Sequence, residues 1–142
     1  MTHDDLARLH AAAFRVDRPW RAEEFSGLLD NRFTALITHP HGFALIRTLA
    51  GESELLTLAV DPAHHREGIA LSLLTQWMER LKGHASRAYL EVASDNYAAI
   101  ALYQKFGFEP HSTRKAYYMR KNAPPADALL MERALTCGQM PD

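Results

Sequence analysis

Apolar residues recur along this chain in two periods, and each period predicts a kind of secondary structure. A spacing of three and four residues predicts an amphipathic helix, whereas a short apolar run or strict alternation predicts a strand. The predicted elements, in chain order, are helices beginning at Thr2 and spanning Arg21–Leu29, strands Asn31–Thr38, Gly42–Leu49 and Glu54–Val60, a helix reaching Leu81, strand Arg87–Ala93, helix Tyr97–Phe106, and strands Phe108–Lys115 and Ala126–Arg133.

This order of elements predicts the fold class. Helices precede the strands and also separate them, which is typical of an α/β protein (an α+β mixed sheet) with helices on both faces of the sheet. The chain has 142 residues, enough to bury one sizeable core. We expect residues 1–135 to form a single domain and residues 136–142 to form a disordered tail.

Several element boundaries are predicted by residues with strong local preferences. Thr2 and Asp5 have the spacing of a helix-capping box, and Ser94-Asp95-Asn96 supplies N-cap residues for the helix that follows. Gly83 and Gly107 are each placed to end a helix, because glycine adopts the left-handed conformation without steric cost. Asp61-Pro62 ends the strand before it, since proline cannot donate to a ladder.

Composition narrows the classes of function. The net charge of −1 gives no electrostatic case for binding nucleic acid or a membrane surface. A single cysteine, Cys137, fits a reducing compartment, and no apolar stretch approaches membrane-spanning length. The N-terminal residues are polar and acidic, unlike a signal peptide. We therefore expect a soluble cytoplasmic protein.

The chain contains eight histidines, but their spacing does not predict a metal site. His64 and His65 are adjacent, and His39 and His41 flank a proline, so none has the helical spacing of a ligand pair. No cysteine or carboxylate cluster accompanies them. We therefore expect no metal cofactor.

Residues 55–74 read as a buried strand, a tight loop and the start of a helix. A loop that leads into a helix N-terminus presents free backbone N–H groups and the positive end of a dipole. Gly68 permits close approach and Arg66 adds a positive charge, which together favour a phosphate ligand. The pattern is also compatible with an ordinary strand-to-helix connection.

This loop resembles the acetyl-CoA-binding motif of the GNAT N-acetyltransferases, whose pattern is [Q/R]-x-x-G-x-[G/A]. Here it is His65-Arg66-Glu67-Gly68-Ile69-Ala70, with the first position variable. The resemblance implies that acetyl-CoA is the cosubstrate and that its pyrophosphate lies on the backbone of residues 66–71 (Arg66, Glu67, Gly68, Ile69, Ala70 and Leu71). Glu67 departs from the family's frequent basic residue, so its charge should weaken phosphate binding unless it points away.

Residues 90–110 (L-E-V-A-S-D-N-Y-A-A-I-A-L-Y-Q-K-F-G-F-E-P) resemble a segment of the bacterial ribosomal-protein N-terminal alanine acetyltransferases, a GNAT subfamily. Arg114-Lys115-Ala116-Tyr117-Tyr118 is similar to the subfamily's R-x-x-Y-Y element, and residues 127–131 (D-A-L-L-M) are similar to its closing strand. Pro19-Trp20 matches a Pro-Trp pair between its first two helices. The four matches occur in the subfamily's order.

The resemblance also implies how the sheet admits its cosubstrate. In the GNAT fold two parallel neighbouring strands splay apart, and here these would be Glu54–Val60 and Arg87–Ala93. Backbone N–H groups of Leu58, Ala59 and Val60 would contact the pantetheine arm and the carbonyl oxygen. The family normally has a strand before its first helix, whereas here the helix starts at residue 2, so either that strand is absent or the given start is late. Its absence would expose the edge of the neighbouring strand to pairing with another chain.

Glu91 is the candidate general base. By strand alternation Leu90 and Val92 face one side of the sheet, and Tyr89 and Glu91 face the other. A carboxylate in an apolar strand is costly unless it faces a cleft or solvent. The pattern alone is compatible with a glutamate on a solvated sheet face, and the family's L-E-V motif implies the catalytic role.

Tyr103 is the candidate general acid. A tyrosine in the middle of a helix more often packs in the core with its hydroxyl bonded, and only the resemblance implies that Tyr103 protonates the leaving thiolate. Asn96 matches a family asparagine that contacts the cofactor, and it can serve as an N-cap at the same time. For the acceptor, the resemblance favours a cleft lined by Trp20, Tyr117 and Tyr118, although the two tyrosines could simply pack.

The sequence therefore predicts a GNAT enzyme that moves acetyl from acetyl-CoA to an α-amine. By resemblance the partner is the N-terminal alanine of a small-subunit ribosomal protein. Two alternatives remain open: a GNAT that acetylates other protein N-termini or a small-molecule amine, and a non-catalytic acetyl-CoA-binding sensor. The oligomeric state is also open, with a monomer slightly favoured.

Overall fold

A computed structural model describes residues 1–13, 20–120 and 124–135 of the chain. The predictions for Pro19, Cys137 and the tail 136–142 fall outside these residues. No helix in the described part of the chain is both long and apolar enough to cross a membrane.

The elements follow the predicted order, α-α-β-β-β-α-β-α-β-β, with one short 3₁₀ helix added after the third strand. Their bounds are α1 His3–Ala13, α2 Ala22–Leu29, β1 Thr34–His39, β2 Gly42–Leu49, β3 Glu52–Val60, the 3₁₀ helix η1 Pro62–His64, α3 Ile69–Leu81, β4 Arg87–Ala93, α4 Tyr97–Lys105, β5 Glu109–Tyr118 and β6 Ala126–Ala134.

Within the described residues the strands form one six-stranded sheet in the order β1-β2-β3-β4-β6-β5. The β3–β4 pair is parallel, and the other neighbouring pairs are antiparallel. A parallel pair needs a crossover connection, which α3 supplies. β1 lies at one edge of the sheet, and α1 is the first described element.

Each face of the sheet carries its own hydrophobic core. The first core lies on the side of α3 and α4 and is centred on Trp77, Leu90 and Tyr103. The second core lies on the side of α1 and α2 and contains Leu6 and Phe25. Burial of such side chains stabilises the fold by about 1.5–3 kcal/mol each. The predicted mixed sheet with helices on both faces is confirmed.

The local capping predictions are also confirmed. Thr2 and Asp5 exchange two hydrogen bonds, Thr2 N to Asp5 Oδ2 at 2.9 Å and Asp5 N to Thr2 Oγ1 at 3.0 Å. Asn96 is the N-cap of α4, and its Oδ1 accepts from Ala99 N at 3.3 Å. Gly107 follows α4 with φ +95°.

Several boundaries differ from the predicted ones. β1 begins at Thr34 rather than Asn31, because Asn31 forms a turn in which its side chain accepts from Phe33 N. β3 begins at Glu52 rather than Glu54, and β5 extends to Tyr118 instead of ending at Lys115. α3 begins at Ile69, after Arg66 with its left-handed φ of +69°.

A buried hydrogen bond joins the two elements that flank the first core. Trp77 Nε1 on α3 donates to Ser53 Oγ on β3 at 2.8 Å, and both residues are fully buried. The same hydroxyl lies 2.9 Å from Thr48 Oγ1 on β2. Ser53 therefore satisfies the indole N–H, which has no access to water.

Replacing Ser53 should destabilise the fold by leaving the indole N–H of Trp77 unsatisfied. We expect Ser53→Ala to lower the free energy of unfolding by about 1–3 kcal/mol. Urea denaturation followed by tryptophan fluorescence would measure the change. Ser72→Ala on the exposed side of α3 is the control and should change stability by less than about 0.5 kcal/mol. Equal effects of the two substitutions would contradict the assigned role of Ser53.

Candidate active site

The two central strands of the sheet separate partway along their length. β3 and β4 pair in parallel only from Glu52–Arg87 to Leu55–Leu90. Beyond that point β3 stays paired with β2 as far as Val60, and β4 stays paired with β6 as far as Ala93. A gap therefore opens between the C-terminal halves of the two strands, as the family resemblance predicted.

A β-bulge in β3 lies where this separation starts. Leu45 of β2 pairs with Thr57, whereas the next residue, Ile46, pairs with Leu55, so Leu56 is the extra residue. Consistent with this, Leu56 and Thr57 both face the second core, and the alternation resumes with Leu58 toward the first. Bulges bend a strand and increase its twist, which accounts for the departure of β3 from β4.

The bulge lies before Leu58. From Leu58 onward, the hydrogen bonding of β3 decides which peptide groups face the gap. Asp61 N donates to His41 O of the preceding turn at 2.9 Å. Because peptide directions alternate along a strand, the N–H of Ala59 points toward β2. The N–H groups of Leu58 and Val60 then point into the gap.

The loop after β3 leads directly to an uncapped helix N-terminus. Gly68 is the N-cap of α3, with φ +76°, and no side chain caps the helix there. The N–H groups of Ile69, Ala70 and Leu71 lie in the first turn, before the i→i−4 hydrogen bonds that begin with Ser72 N to Gly68 O. These donors and the helix dipole favour an anion at this end of α3.

The start of α3 lies close to β2 because residue 42 is glycine. A Cβ at Gly42 would come within 2.9 Å of Ala59 O and 3.1 Å of Ile69 Cγ2. The absence of a side chain thus lets the first turn of α3 approach the end of the β2–β3 ladder.

Glu67, the acidic residue of the loop, contacts a histidine. Its Oε2 lies 3.0 Å from His64 Nδ1. The contact turns the carboxylate toward η1, so Glu67 is held by a partner within its own segment.

Glu91 lies in a charged groove of about 490 Å³ on the same face of the sheet as the second core. Its side chain is 15% exposed, and Arg114 Nε lies 3.0 Å from its Oε2. Two other carboxylates of the groove also pair with arginines, Glu54 with Arg47 at 2.8 Å and Glu52 with Arg87 at 2.6 Å.

A bulge in β5 lies next to Arg114 and Tyr117, which line this groove. Arg114 pairs with Ala128 and Tyr118 with Ala126, so three residues of β5 oppose Asp127 alone. Asp127 Oδ1 accepts from Ala116 N at 2.8 Å, and Ala116 has a left-handed φ of +50°.

This bulge positions an aromatic side chain beside the groove. The Arg114 guanidinium lies over the Tyr117 ring, 4.8 Å from its centroid. Tyr117 lines the groove together with Glu91, whereas Tyr118 is not among the lining residues and makes an edge contact with the Tyr117 ring. Sequence reasoning missed the Arg114–Glu91 contact and the role of Asp127. The sequence signals in these segments were the R-x-x-Y-Y and D-A-L-L-M motifs, which do not indicate either contact.

Tyr103 lies on the opposite face of the sheet from Glu91. It belongs to the first core with Leu90 and Val92, and its ring packs edge-on against Phe108. Burial raises the pKa of Tyr103 to about 12, so the hydroxyl keeps its proton at neutral pH. No hydrogen bond from this hydroxyl is found in the described part of the chain. The hydroxyl is therefore a proton donor without an assigned acceptor.

Trp20 lies on the Glu91 side of the sheet, in the second core. Its ring stacks on His10 with centroids 5.2 Å apart, and its backbone N donates to His10 Nδ1 at 3.1 Å. His10 Nε2 lies 3.2 Å from Thr57 Oγ1, next to the bulge residue of β3. Sequence reasoning missed His10, whose helical position gave no sign that it links α1 to β3.

These residues include the kinds of group that acyl transfer uses. One side offers backbone N–H donors from β3 and an anion site at α3, and the other offers a carboxylate and a protonated phenol. Oxyanion stabilisation, a base and an acid are the three requirements for moving an acyl group from a thioester to an amine.

Comparison with known proteins agrees with this chemistry. The profile of the Acetyltransferase (GNAT) family matches residues 4–108. The chain is 34% identical to the N-alpha-acetyltransferase RimI of Mycobacterium tuberculosis, over 89% of this chain and 83% of that protein. It is 36% identical to an uncharacterised protein of Mycobacterium leprae, over 92% of this chain but 37% of that protein.

Solved structures give the same result. The crystal structure of the ribosomal-protein-S18-alanine N-acetyltransferase from Escherichia coli superimposes with a TM-score of 0.78 at 28% identity, covering 92% of this chain and 87% of that one. The family profile spans most of the described residues, including the loop, β4 and α4. The chain therefore belongs to the GNAT family of acetyl-CoA-dependent N-acetyltransferases.

Proposed function

We propose that this enzyme transfers acetyl from acetyl-CoA to the α-amine of a protein N-terminus, with the N-terminal alanine of a small-subunit ribosomal protein as its acceptor. The observation that carries the proposal is the gap beyond Leu55 and Leu90. Peptide groups of β3 and the Glu91 carboxylate of β4 flank this gap. The transfer is a direct attack in a ternary complex, without an acyl-enzyme.

The acceptor assignment is supported by the relatives. The M. tuberculosis protein is named as an N-alpha-acetyltransferase, and the E. coli enzyme is named for the alanine of ribosomal protein S18. The motifs of residues 90–110, 114–118 and 127–131 lie in the segments that form β4, α4, β5 and β6 here. The acceptor peptide would approach the groove between Trp20 and Tyr117.

Acetyl-CoA would bind along the gap. Its pyrophosphate would accept from the N–H groups of Ile69, Ala70 and Leu71, with Arg66 nearby in sequence. Its pantetheine arm would run beside β3, where Leu58 and Val60 have N–H groups directed into the gap. One of these donors would stabilise the oxyanion that develops on the thioester carbonyl oxygen.

Glu91 would accept a proton from the acceptor ammonium, directly or through one water molecule. The Arg114 guanidinium lies at a hydrogen-bonding distance from Glu91, so this position accommodates a cation. We infer that the acceptor ammonium occupies it during the reaction and that Arg114 moves aside. The side chain of Arg114 is 61% exposed, which leaves it room to do so.

Tyr103 would complete the proton transfers. Once the amine nitrogen attacks the carbonyl carbon, the C–S bond breaks and the thiolate takes the phenolic proton. The Tyr103 hydroxyl, with a pKa of about 12, is protonated before this step. The resulting tyrosinate then regains a proton from solvent or takes the proton that the attacking nitrogen loses. Glu91 and Tyr103 thus act from opposite faces of the sheet through the same gap.

The acceptor class can be tested with matched short peptides. We expect acetylation of a peptide with a free N-terminal alanine and little of an N-blocked peptide with an internal lysine or of a polyamine. An α-ammonium, with a pKa of about 8, is easier for a carboxylate to deprotonate than lysine, with a pKa of about 10.4. Mass spectrometry would locate the acetyl group.

The outcomes of this assay separate the alternatives. Transfer only to lysine or to the polyamine would refute the N-terminal assignment and leave the family intact. Tight acetyl-CoA binding with no transfer to any amine would favour a non-catalytic acetyl-CoA-binding module.

Tyr103→Phe should remove the general acid while preserving the ring in the core. We expect kcat to fall by on the order of 10²–10⁴-fold, with the Kd for acetyl-CoA little changed, because the phenol acts only on the leaving group. Steady-state kinetics and calorimetry would measure both. Tyr97→Phe, on the same helix but 75% exposed, is the matched control. A Tyr103→Phe enzyme with normal kcat would exclude the acid role.

Glu91→Gln should remove the base without changing side-chain size. We expect kcat/KM to fall by on the order of 10²–10⁴-fold at neutral pH. Part of the rate should return at alkaline pH, where the acceptor amine is already deprotonated. The pH profile of kcat/KM is therefore the decisive measurement. Glu109→Gln, on the exposed part of β5, is the control. A uniform loss at every pH would assign Glu91 a structural rather than a proton-accepting role.

A further inference from the structure

Three side chains with metal-ligating atoms converge at the end of the β2–β3 ladder. One atom from each of His41, Asp61 and His64 lies within 4.8 Å of the other two. We propose that these residues bind a divalent transition-metal ion of the Zn²⁺ class. The site lies apart from Glu91 and Tyr103, the residues proposed to act on the amine and the thioester.

The backbone holds the three residues together. Asp61 N donates to His41 O at 2.9 Å, and His64 N donates to Asp61 O at 2.8 Å. The first bond extends the β2–β3 ladder by one residue, and the second closes the turn into η1. The ligand set therefore depends on ordered backbone rather than on long, mobile side chains.

Two of the ligands are oriented by further hydrogen bonds. Asp61 Oδ1 accepts from Ala63 N at 3.0 Å, which fixes the carboxylate and leaves Oδ2 available. His64 Nδ1 lies 3.0 Å from Glu67 Oε2. A carboxylate at one ring nitrogen holds the proton there and leaves the other nitrogen, here Nε2, as a lone-pair donor. This arrangement is the usual outer shell of a metal-bound histidine.

One of the two imidazoles must rotate before both can bind one ion. The rings of His41 and His64 stack with centroids 3.5 Å apart and planes inclined by 8°. A metal ion lies close to the plane of each imidazole that binds it, so two parallel rings cannot share one ion as they stand. All three residues are half-buried. Because Glu67 holds the His64 ring, the ring that must turn is that of His41, which makes ring contacts with His39 and His64.

The chemistry of the donors favours zinc over magnesium or calcium. Two imidazole nitrogens and one carboxylate oxygen match the preference of Zn²⁺, and they leave one position for water. Magnesium and calcium prefer oxygen ligands throughout. The bound ion would join the end of the ladder to η1, which precedes the loop containing Gly68, and should therefore stabilise this part of the fold.

Zinc binding can be measured on the full chain carrying Cys137→Ser, so that a thiolate does not compete for the ion. Isothermal titration with ZnCl₂ should give one saturable site per chain, and thermal unfolding should shift upward with zinc. His41→Gln, Asp61→Asn and His64→Gln should each weaken binding at least about tenfold, and Glu67→Gln by about 10–100-fold. Asparagine keeps an oxygen to cap Ala63 N, so Asp61→Asn tests the ligand rather than the fold.

His111→Gln is the matched control, because His111 also contacts a carboxylate, Glu132, at 3.3 Å but belongs to no such cluster among the described residues. It should leave zinc affinity unchanged. Titration with Co²⁺ should produce visible absorption bands that disappear in the His41→Gln/His64→Gln variant. The proposal is wrong if the Cys137→Ser protein takes up no zinc. It is also wrong if the folded double variant binds zinc as tightly, or if His111→Gln weakens binding to the same extent.

Discussion

The candidate active site depends on the point at which β3 and β4 stop pairing. β3 and β4 are hydrogen-bonded only as far as Leu55 and Leu90, and the extra residue Leu56 turns β3 away from its neighbour. Unpaired backbone N–H groups inside a protein are costly unless a ligand or water satisfies them. In the proposed acetyl-CoA complex, the thioester carbonyl and the amide-rich pantetheine arm would provide acceptors for the N–H groups of Leu58 and Val60. The strand pairs on either side keep the gap open.

Much of the fold could be predicted from the sequence, because its elements are defined by local signals. Apolar periodicity set the order of helices and strands, and Thr2, Asn96 and Gly107 marked boundaries that the structure reproduces. The start of α3 is set by backbone geometry, because Arg66 adopts a left-handed φ that no side-chain pattern indicates.

The site itself was only partly predictable. Glu91 and Tyr103 were chosen by resemblance, since a glutamate in a strand and a tyrosine in a helix each have commoner structural explanations. The pairing of Arg114 with Glu91 could not be foreseen, because it depends on a bulge in β5 pinned by Asp127. His41 and His64 likewise meet only through the β2–β3 ladder. Contacts between residues 20 or more positions apart are decided by strand register, and no local pattern encodes that register.

Glu91 and Tyr103 lie on opposite faces of the sheet, and the gap between β3 and β4 connects those faces. Strand alternation places Glu91 on the groove side, whereas Tyr103 lies among the buried residues of α3 and α4. In a continuous sheet the two groups would be separated by a closed layer of backbone, and no single substrate could meet both. In the proposed mechanism, the opened sheet would let the amine approach from the charged side while the leaving sulfur meets a phenol on the apolar side. Burial on the apolar side raises the pKa of Tyr103, and the charged side would suit a cationic acceptor. The proposed roles of base and acid thus follow the asymmetry of the two faces.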